Sequence, residues 1–110
     1  MNMSLEVEVN QLHAQICAGL EDTNRIMLLY ALSQGSRNVT ELCNELNMPQ
    51  PLVSRHLKVL RERGMVTNER RGTVIVYSLG DKRLVQALDL LRAAMRDMLA
   101  KRAELVEAFA

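Results

Sequence analysis

Two cysteines, Cys17 and Cys43, are all that the 110-residue chain contains, too few for a disulfide framework. The setting expected for them is a reducing one, the cytoplasm. No apolar run approaches the roughly 18 residues that a membrane helix needs, so no membrane partner is expected. Met1–Asn10 is acidic and lacks both the basic and the apolar stretch of an export signal, so none is expected there. Internal repeats, linkers and low-complexity segments are missing as well. So are a glycine-rich phosphate loop, a nucleophile with a base beside it and a cluster of metal ligands, and the chain reads as a non-enzyme. What remains is ordinary for a folded domain, 48% hydrophobic and 25% charged. One domain over 1–110 is expected, large enough to bury roughly two-thirds of its unfolded surface.

The net charge of +1 singles out no partner, but its distribution does. Residues 1–49 carry two basic side chains against six acidic ones, a net −4. Residues 50–75 reverse this, with Arg55, Lys58, Arg61, Arg63, Arg70 and Arg71 against Glu62 and Glu69, a net +4. Residues 76–110 are close to balanced at +1. A basic block in a quarter of an otherwise neutral chain suits a surface that faces phosphates, although any helix face can collect arginines.

Periodicity supplies the elements. Leu12, Ile16 and Leu20 recur at helical steps within an amphipathic helix over about 5–20. A second helix, from Asp22 to Leu32, is apolar nearly all round and should lie in the core. Asn38 with Glu41 reads as a capping box opening a short helix through Leu46. Pro51 fits the first turn of a fourth helix over about 50–63, and Gly64 is its natural stop. Runs rich in β-branched residues then flank Arg71-Gly72, giving a β-hairpin over about 65–79. The last helix, about 81–108, sets Leu84, Leu88, Leu91, Met95 and Met98 at alternating four- and three-residue steps, the seam of a helix that packs on another helix.

The order α-α-α-α-β-β-α is that of a winged helix-turn-helix, a mainly α fold with a β-hairpin wing. A helix of this size fits the major groove of B-DNA, its predecessor braces it, and the hairpin tip reaches neighbouring phosphates. The exposed face of the fourth helix is expected to carry Gln50, Pro51, Ser54, Arg55 and Lys58, with His56 beside them. Glutamine can bond adenine bidentately and arginine guanine, while serine serves bases or phosphates. Asn38 and Thr40 at the start of the third helix, and Arg70 and Arg71 in the wing, complete the expected DNA contacts.

The run from Asn38 through Glu41-Leu42-Cys43-Asn44-Glu45-Leu46, the run Val53-Ser54-Arg55-His56-Leu57-Lys58-Val59-Leu60-Arg61, Arg70-Arg71-Gly72 and Val76-Tyr77-Ser78-Leu79 together resemble the ArsR/SmtB family of bacterial repressors. The resemblance implies a homodimer joined through its first and last helices, here by Leu12, Ile16, Leu20, Leu84, Leu88, Leu91, Met95 and Met98. It also implies binding to a palindromic double-stranded operator near the chain's own promoter and release by an effector. The periodicity agrees, since one small domain has little room to bury both apolar stripes internally. The alternatives are an effector-independent winged-helix regulator and a dimeric protein-interaction module.

Residue by residue, the family's effector sites are incomplete. Arsenic and cadmium sensors carry Glu-Leu-Cys-x-Cys, whereas this chain has Cys43 and then Glu45 in place of the second thiol. A thiophilic metal or metalloid wants two or three thiolates, and the one other source is Cys17, reached across the dimer from the partner subunit and aided by Glu45 or His13. Two unrelated cysteines acting as small hydrophobes are the other reading. The family's zinc positions offer Asp81 and Asp97, but Arg83 and Ala94 stand where histidines are wanted, and arginine is no ligand. Tyr30 occupies the second-helix position of a sulfide-sensing cysteine. No cofactor is firmly expected.

Overall fold

The computed structural model describes residues 4–109, so the ends of the expected 1–110 domain and the start of the Met1–Asn10 reading lie outside it. Ser4 accepts from the Val7 amide at 3.3 Å and opens α1 (Leu5–Leu12). The chain stays helical but changes its winding, through a π turn at His13–Cys17 and a single 3-10 turn at Ala18–Leu20. Residues 4–15 are exposed throughout. Asp22 then caps α2 (Thr23–Ser33), accepting from the Asn24 amide at 2.8 Å. Leu28, Leu29, Ala31 and Leu32 of α2 are buried while Met27 is exposed, so this helix is central but one-sided rather than enclosed.

The helix-turn-helix follows from strong local signals. Asn38 Oδ1 accepts from the Glu41 amide at 2.8 Å, and Glu41 Oε1 accepts from the Asn38 amide at 2.9 Å, the reciprocal box that starts α3 (Val39–Leu46). Asn47 closes α3 in the left-handed region, at φ 52°, which asparagine tolerates because its side chain bonds locally. α4 (Gln50–Glu62) has Pro51 in its first turn and sends Val53, Leu57 and Leu60 into the core. It ends at Gly64, φ +74°: the Gly64 amide donates to Arg61 O at 3.0 Å and the Met65 amide to Leu60 O at 2.9 Å. With Leu60 and Met65 both fully buried, this hydrophobic Schellman stop aims the chain directly into the wing.

The wing is β2 (Val66–Arg71) and β3 (Val74–Leu79), antiparallel, with Val66 opposite Leu79 and Arg71 opposite Val74. Its turn is Gly72-Thr73, one residue later than Arg71-Gly72, because Gly72 supplies the positive φ (+66°) at the first central position and Arg71 still pairs. A third strand, β1 (Arg37–Asn38), was not expected. It pairs with β3 through Arg37–Tyr77 and Asn38–Val76, giving the order β1-β3-β2. Two residues are too few to show a period, so nothing in the sequence marks it. At the wing's exit, Gly80 donates to Met65 O at 2.9 Å, and a Cβ there would stand 2.5 Å from Gly64 O. Only glycine lets the two backbones approach so closely.

α5 (Arg83–Ala108) begins after Asp81, whose Oδ1 accepts from the Arg83 amide at 2.8 Å. The Arg83 side chain bonds the same carboxylate and holds it down to about 2. Val85 and Leu88 are buried against α2, whereas residues 94–109 are all exposed. The architecture is a winged helix-turn-helix of five helices and a small antiparallel sheet. No described helix is long and apolar enough to cross a membrane.

Candidate nucleic-acid interface

One face of α4 is committed to the core, which leaves the other as the candidate reading surface. Pro51, Ser54, Lys58 and Glu62 follow one another at three- and four-residue steps and are all exposed, as are Arg55, Gln50 and Arg61 beside them. Glu62 puts a negative charge at the C-terminal end of the stripe, so the cationic, hydrogen-bonding part is the N-terminal half. Helix-turn-helix proteins present that half to base edges. Asn38 and Thr40 line a shallow groove with Thr73, Val74 and Ile75, so the start of α3 and the wing tip adjoin. Asn38 is half-buried there and already holds the Glu41 amide.

Three residues of the expected basic face behave differently. His56 is a correction: it is only 5% exposed and lies inside, against the start of α2, not on the surface of α4. Its place follows from periodicity, because positions 53, 56, 57 and 60 form the inward stripe of the helix. Arg63 turns away from the basic block. Its guanidinium donates to Ala14 O at 2.6 Å and Gln15 O at 3.0 Å, and Gln15 Nε2 donates back to Arg63 O at 3.0 Å. Both carbonyls belong to the π turn that follows α1. Arg71 is paired with Glu69 on its own strand, its Nε 2.7 Å from the carboxylate. Arg55, Lys58, Arg61 and Arg70 remain exposed and make no ion pair among the described residues.

His56 brings a residue into view that sequence reasoning passed over. Arg25 of α2 donates from Nε to Gly19 O at 2.8 Å and from Nη2 to Ala18 O at 3.2 Å, and its Nη1 lies 3.5 Å from His56 Nδ1. The other ring nitrogen, Nε2, is buried without a hydrogen bond, 3.8 Å from Asp22 Oδ1. Burial holds the imidazole below its ordinary value. Asp22 opposes that, while the Arg25 and Arg55 charges add to it. An arginine inside an otherwise apolar helix was the available signal.

Within one chain, the described sensing residues do not come together as a metal site. Cys17 is exposed in the π turn and Cys43 is half-buried against the core, both as free thiols. Glu45, a suggested helper, is engaged by Arg37 Nε at 3.0 Å. Asp81 is engaged by Arg83. Among the described residues, no three of His, Cys, Asp and Glu gather to hold an ion. At Tyr30, a phenol rather than a thiol joins α2 to α5: its OH donates to Asp89 Oδ1 at 2.7 Å, and Arg92 lies over the ring at 5.3 Å.

Of the expected interface residues, Leu88 is a correction. It is only 7% exposed and belongs to the core of its own chain, because the start of α5 packs on α2. Ile16, Leu20 and Leu84 are half-buried against that core, while Leu12, Leu91, Met95 and Met98 are at least half exposed. Six of the eight, Leu12, Ile16, Leu20, Leu84, Leu88 and Leu91, nevertheless line one apolar groove of about 440 Å³ between the N-terminal arm and α5.

Comparison with known proteins agrees with this architecture. The family model described as "Bacterial regulatory protein, arsR family" matches residues 22–68. The chain is 43% identical over 74 residues to the HTH-type transcriptional repressor SmtB of Mycobacterium tuberculosis, an alignment covering 66% of this chain and 55% of that protein. It therefore spans about half the length of SmtB. To the HTH-type transcriptional regulator NmtR of the same species it is 40% identical over 83 residues, 73% of this chain and 69% of NmtR. The crystal structure of the transcriptional repressor BigR from Xylella fastidiosa superposes with a TM-score of 0.70 at 30% identity, covering 84% of this chain and 96% of that one.

Proposed function

The chain belongs to the ArsR family of bacterial regulatory proteins, and from that membership we propose that it is a dimeric, sequence-specific DNA-binding repressor of its own operon. The observation that carries the reading is the outer face of α4, where Ser54, Arg55 and Lys58 are exposed together, with Arg70 exposed on the wing that follows the helix. Ser54 and Arg55 are assigned to base edges, with Gln50 next to them. Lys58, Arg61 and Arg70 are assigned to phosphates.

Dimerisation is supported by the exposed second half of α5 and by the apolar groove beside its start. Isolated helices of about 12–15 residues are marginal in water, so the exposed second half of α5 calls for a partner helix. Met95 and Met98 lie along it, Leu91 lies just before it, and the groove between the N-terminal arm and α5 continues the stripe. Two copies place two recognition helices on a palindrome, which roughly doubles the phosphate contacts and the discrimination.

The test is a fluorescence-anisotropy titration of the purified chain against a fragment of its own promoter over a range of salt. Nanomolar affinity that falls steeply with salt is the expected result. Arg70→Ala should weaken all DNA sequences alike and flatten the salt slope by about one unit. A dimer that binds no promoter fragment would instead support the protein-interaction reading.

The finer part of the proposal is release by a thiophilic metal or metalloid, or by a thiol-reactive species, at the chain's two thiols. Cys17 is open to solvent on the arm that Arg63 and Arg25 hold, and Cys43 sits on the helix that precedes α4. Arsenite, cadmium, zinc, persulfide or peroxide should dissociate the operator complex, and Cys17→Ser with Cys43→Ser should prevent it. A complex that withstands all five makes the regulator effector-independent.

A further inference from the structure

The recognition helix is tied to the rest of the chain by a polar contact that only a neutral histidine can make. Arginine is a donor and never an acceptor, so Arg25 Nη1, 3.5 Å from His56 Nδ1, needs a lone pair on that nitrogen. The ring proton then sits on Nε2, the buried atom facing Asp22 Oδ1 at 3.8 Å, too far for a hydrogen bond. The charged groups facing the ring are Asp22 and Arg25 of α2 and Arg55 of its own helix. The same Arg25 fork holds the Ala18 and Gly19 carbonyls at the end of the N-terminal arm. One guanidinium thus joins α4, α2 and the arm.

We propose that His56 is a proton switch on the recognition helix, and that Arg25 is the positioning residue through which the neutral ring holds α4 in its DNA-binding orientation. The inference rests on the regulator reading for its consequence, but not for its mechanism. A second proton on His56 must go to Nδ1, where it meets the donor side of Arg25, and the contact is lost. The cation also draws on Asp22, whose Oδ1 is already used to cap α2 through the Asn24 amide at 2.8 Å. Both changes loosen the seat of α4 against α2 and the arm. Because burial disfavours the charged ring, the unfolded chain takes up the proton first. The stabilisation is therefore present above the ordinary histidine value of about 6.5 and is lost as pH falls below it toward the lower folded value.

The sign is distinctive. A histidine on a DNA-facing surface gains positive charge in acid and tightens binding to phosphates. Here acid is expected to weaken binding although the protein becomes more positive.

The experiment measures affinity for the promoter fragment at fixed ionic strength from about pH 8 to about pH 5.5, together with amide exchange of α4 in the free protein. Wild type should lose about tenfold or more in affinity across that range, while His56→Gln, which keeps an acceptor and cannot charge, stays flat. Asp22→Asn leaves α4 untouched and removes the anion that favours the charged ring, so its transition should move to lower pH. Equal slopes for wild type and His56→Gln, or an unmoved transition in Asp22→Asn, would overturn the proposal. If no DNA binds at any pH, the regulator reading fails and amide exchange decides the switch. Faster α4 exchange in acid for wild type than for His56→Gln supports it, and equal exchange overturns it.

Discussion

Arg55→Ala is expected to abolish operator-specific binding while leaving the fold and the dimer intact. Arg55 is exposed on the outer stripe of α4 and makes no ion pair among the described residues, so its removal leaves no buried partner unsatisfied. A bidentate arginine–guanine contact contributes about 1–3 kcal/mol of discrimination, and a symmetric dimer loses it twice, about 2–6 kcal/mol in all. That corresponds to roughly 30-fold to 10⁴-fold in operator affinity. Binding to unrelated DNA should fall far less, since the phosphate contacts of Lys58, Arg61 and Arg70 persist. Anisotropy at fixed salt with cognate and scrambled fragments separates the two. Unchanged cognate affinity with an unchanged melting curve would remove Arg55 from the reading surface.

The largest effect on stability is expected on the opposite side of the same helix. Leu57 is fully buried among Leu28, Leu29, Val53 and Leu60 in the cluster that joins α2 to α4. Leu57→Ala removes apolar contact and leaves a cavity that the surrounding helices fill only in part, at a cost of about 2–5 kcal/mol. Domains of this kind have about 5–15 kcal/mol in total, so a large share of the folded state's margin is lost. The urea midpoint should fall accordingly with little change in slope. Lys58→Ala, the next residue and fully outside, should stay within about 0.5 kcal/mol of wild type. A Leu57→Ala midpoint close to wild type would mean that α4 is not seated on this core, and its orientation for DNA would then need another explanation.

Much of this was legible in the chain because it depends on neighbours in sequence. The Asn38–Glu41 box, Pro51 in the first turn of α4 and the Gly64 stop are local hydrogen-bonding and dihedral matters, and each stands where expected. The outward positions of Ser54, Arg55 and Lys58 follow from a 3.6-residue period. The same period could have placed His56 inside with Val53, Leu57 and Leu60. Its polar chemistry and its basic neighbours point to the surface, and packing against α2 overrides them.

What sequence left open is where one element meets another. Arg63 belongs to the basic block by number but bonds carbonyls 48 and 49 residues away, in the π turn of the arm. Arg25, one cation in an apolar helix, proves to be the tie between the arm, α2 and His56. β1 exists because β3 offers it an edge, and its two residues carry no pattern of their own. Leu88 looks like any other position of the α5 seam until α2 covers it. The opening scarcity, two thiols and a net charge of +1, likewise acquired meaning only by position. Composition and periodicity determine which residues turn outward along each helix, because those are one-dimensional properties. Which outward residues stay free for DNA, for a second copy or for a proton depends on contacts between distant segments, and those exist only once the helices have packed.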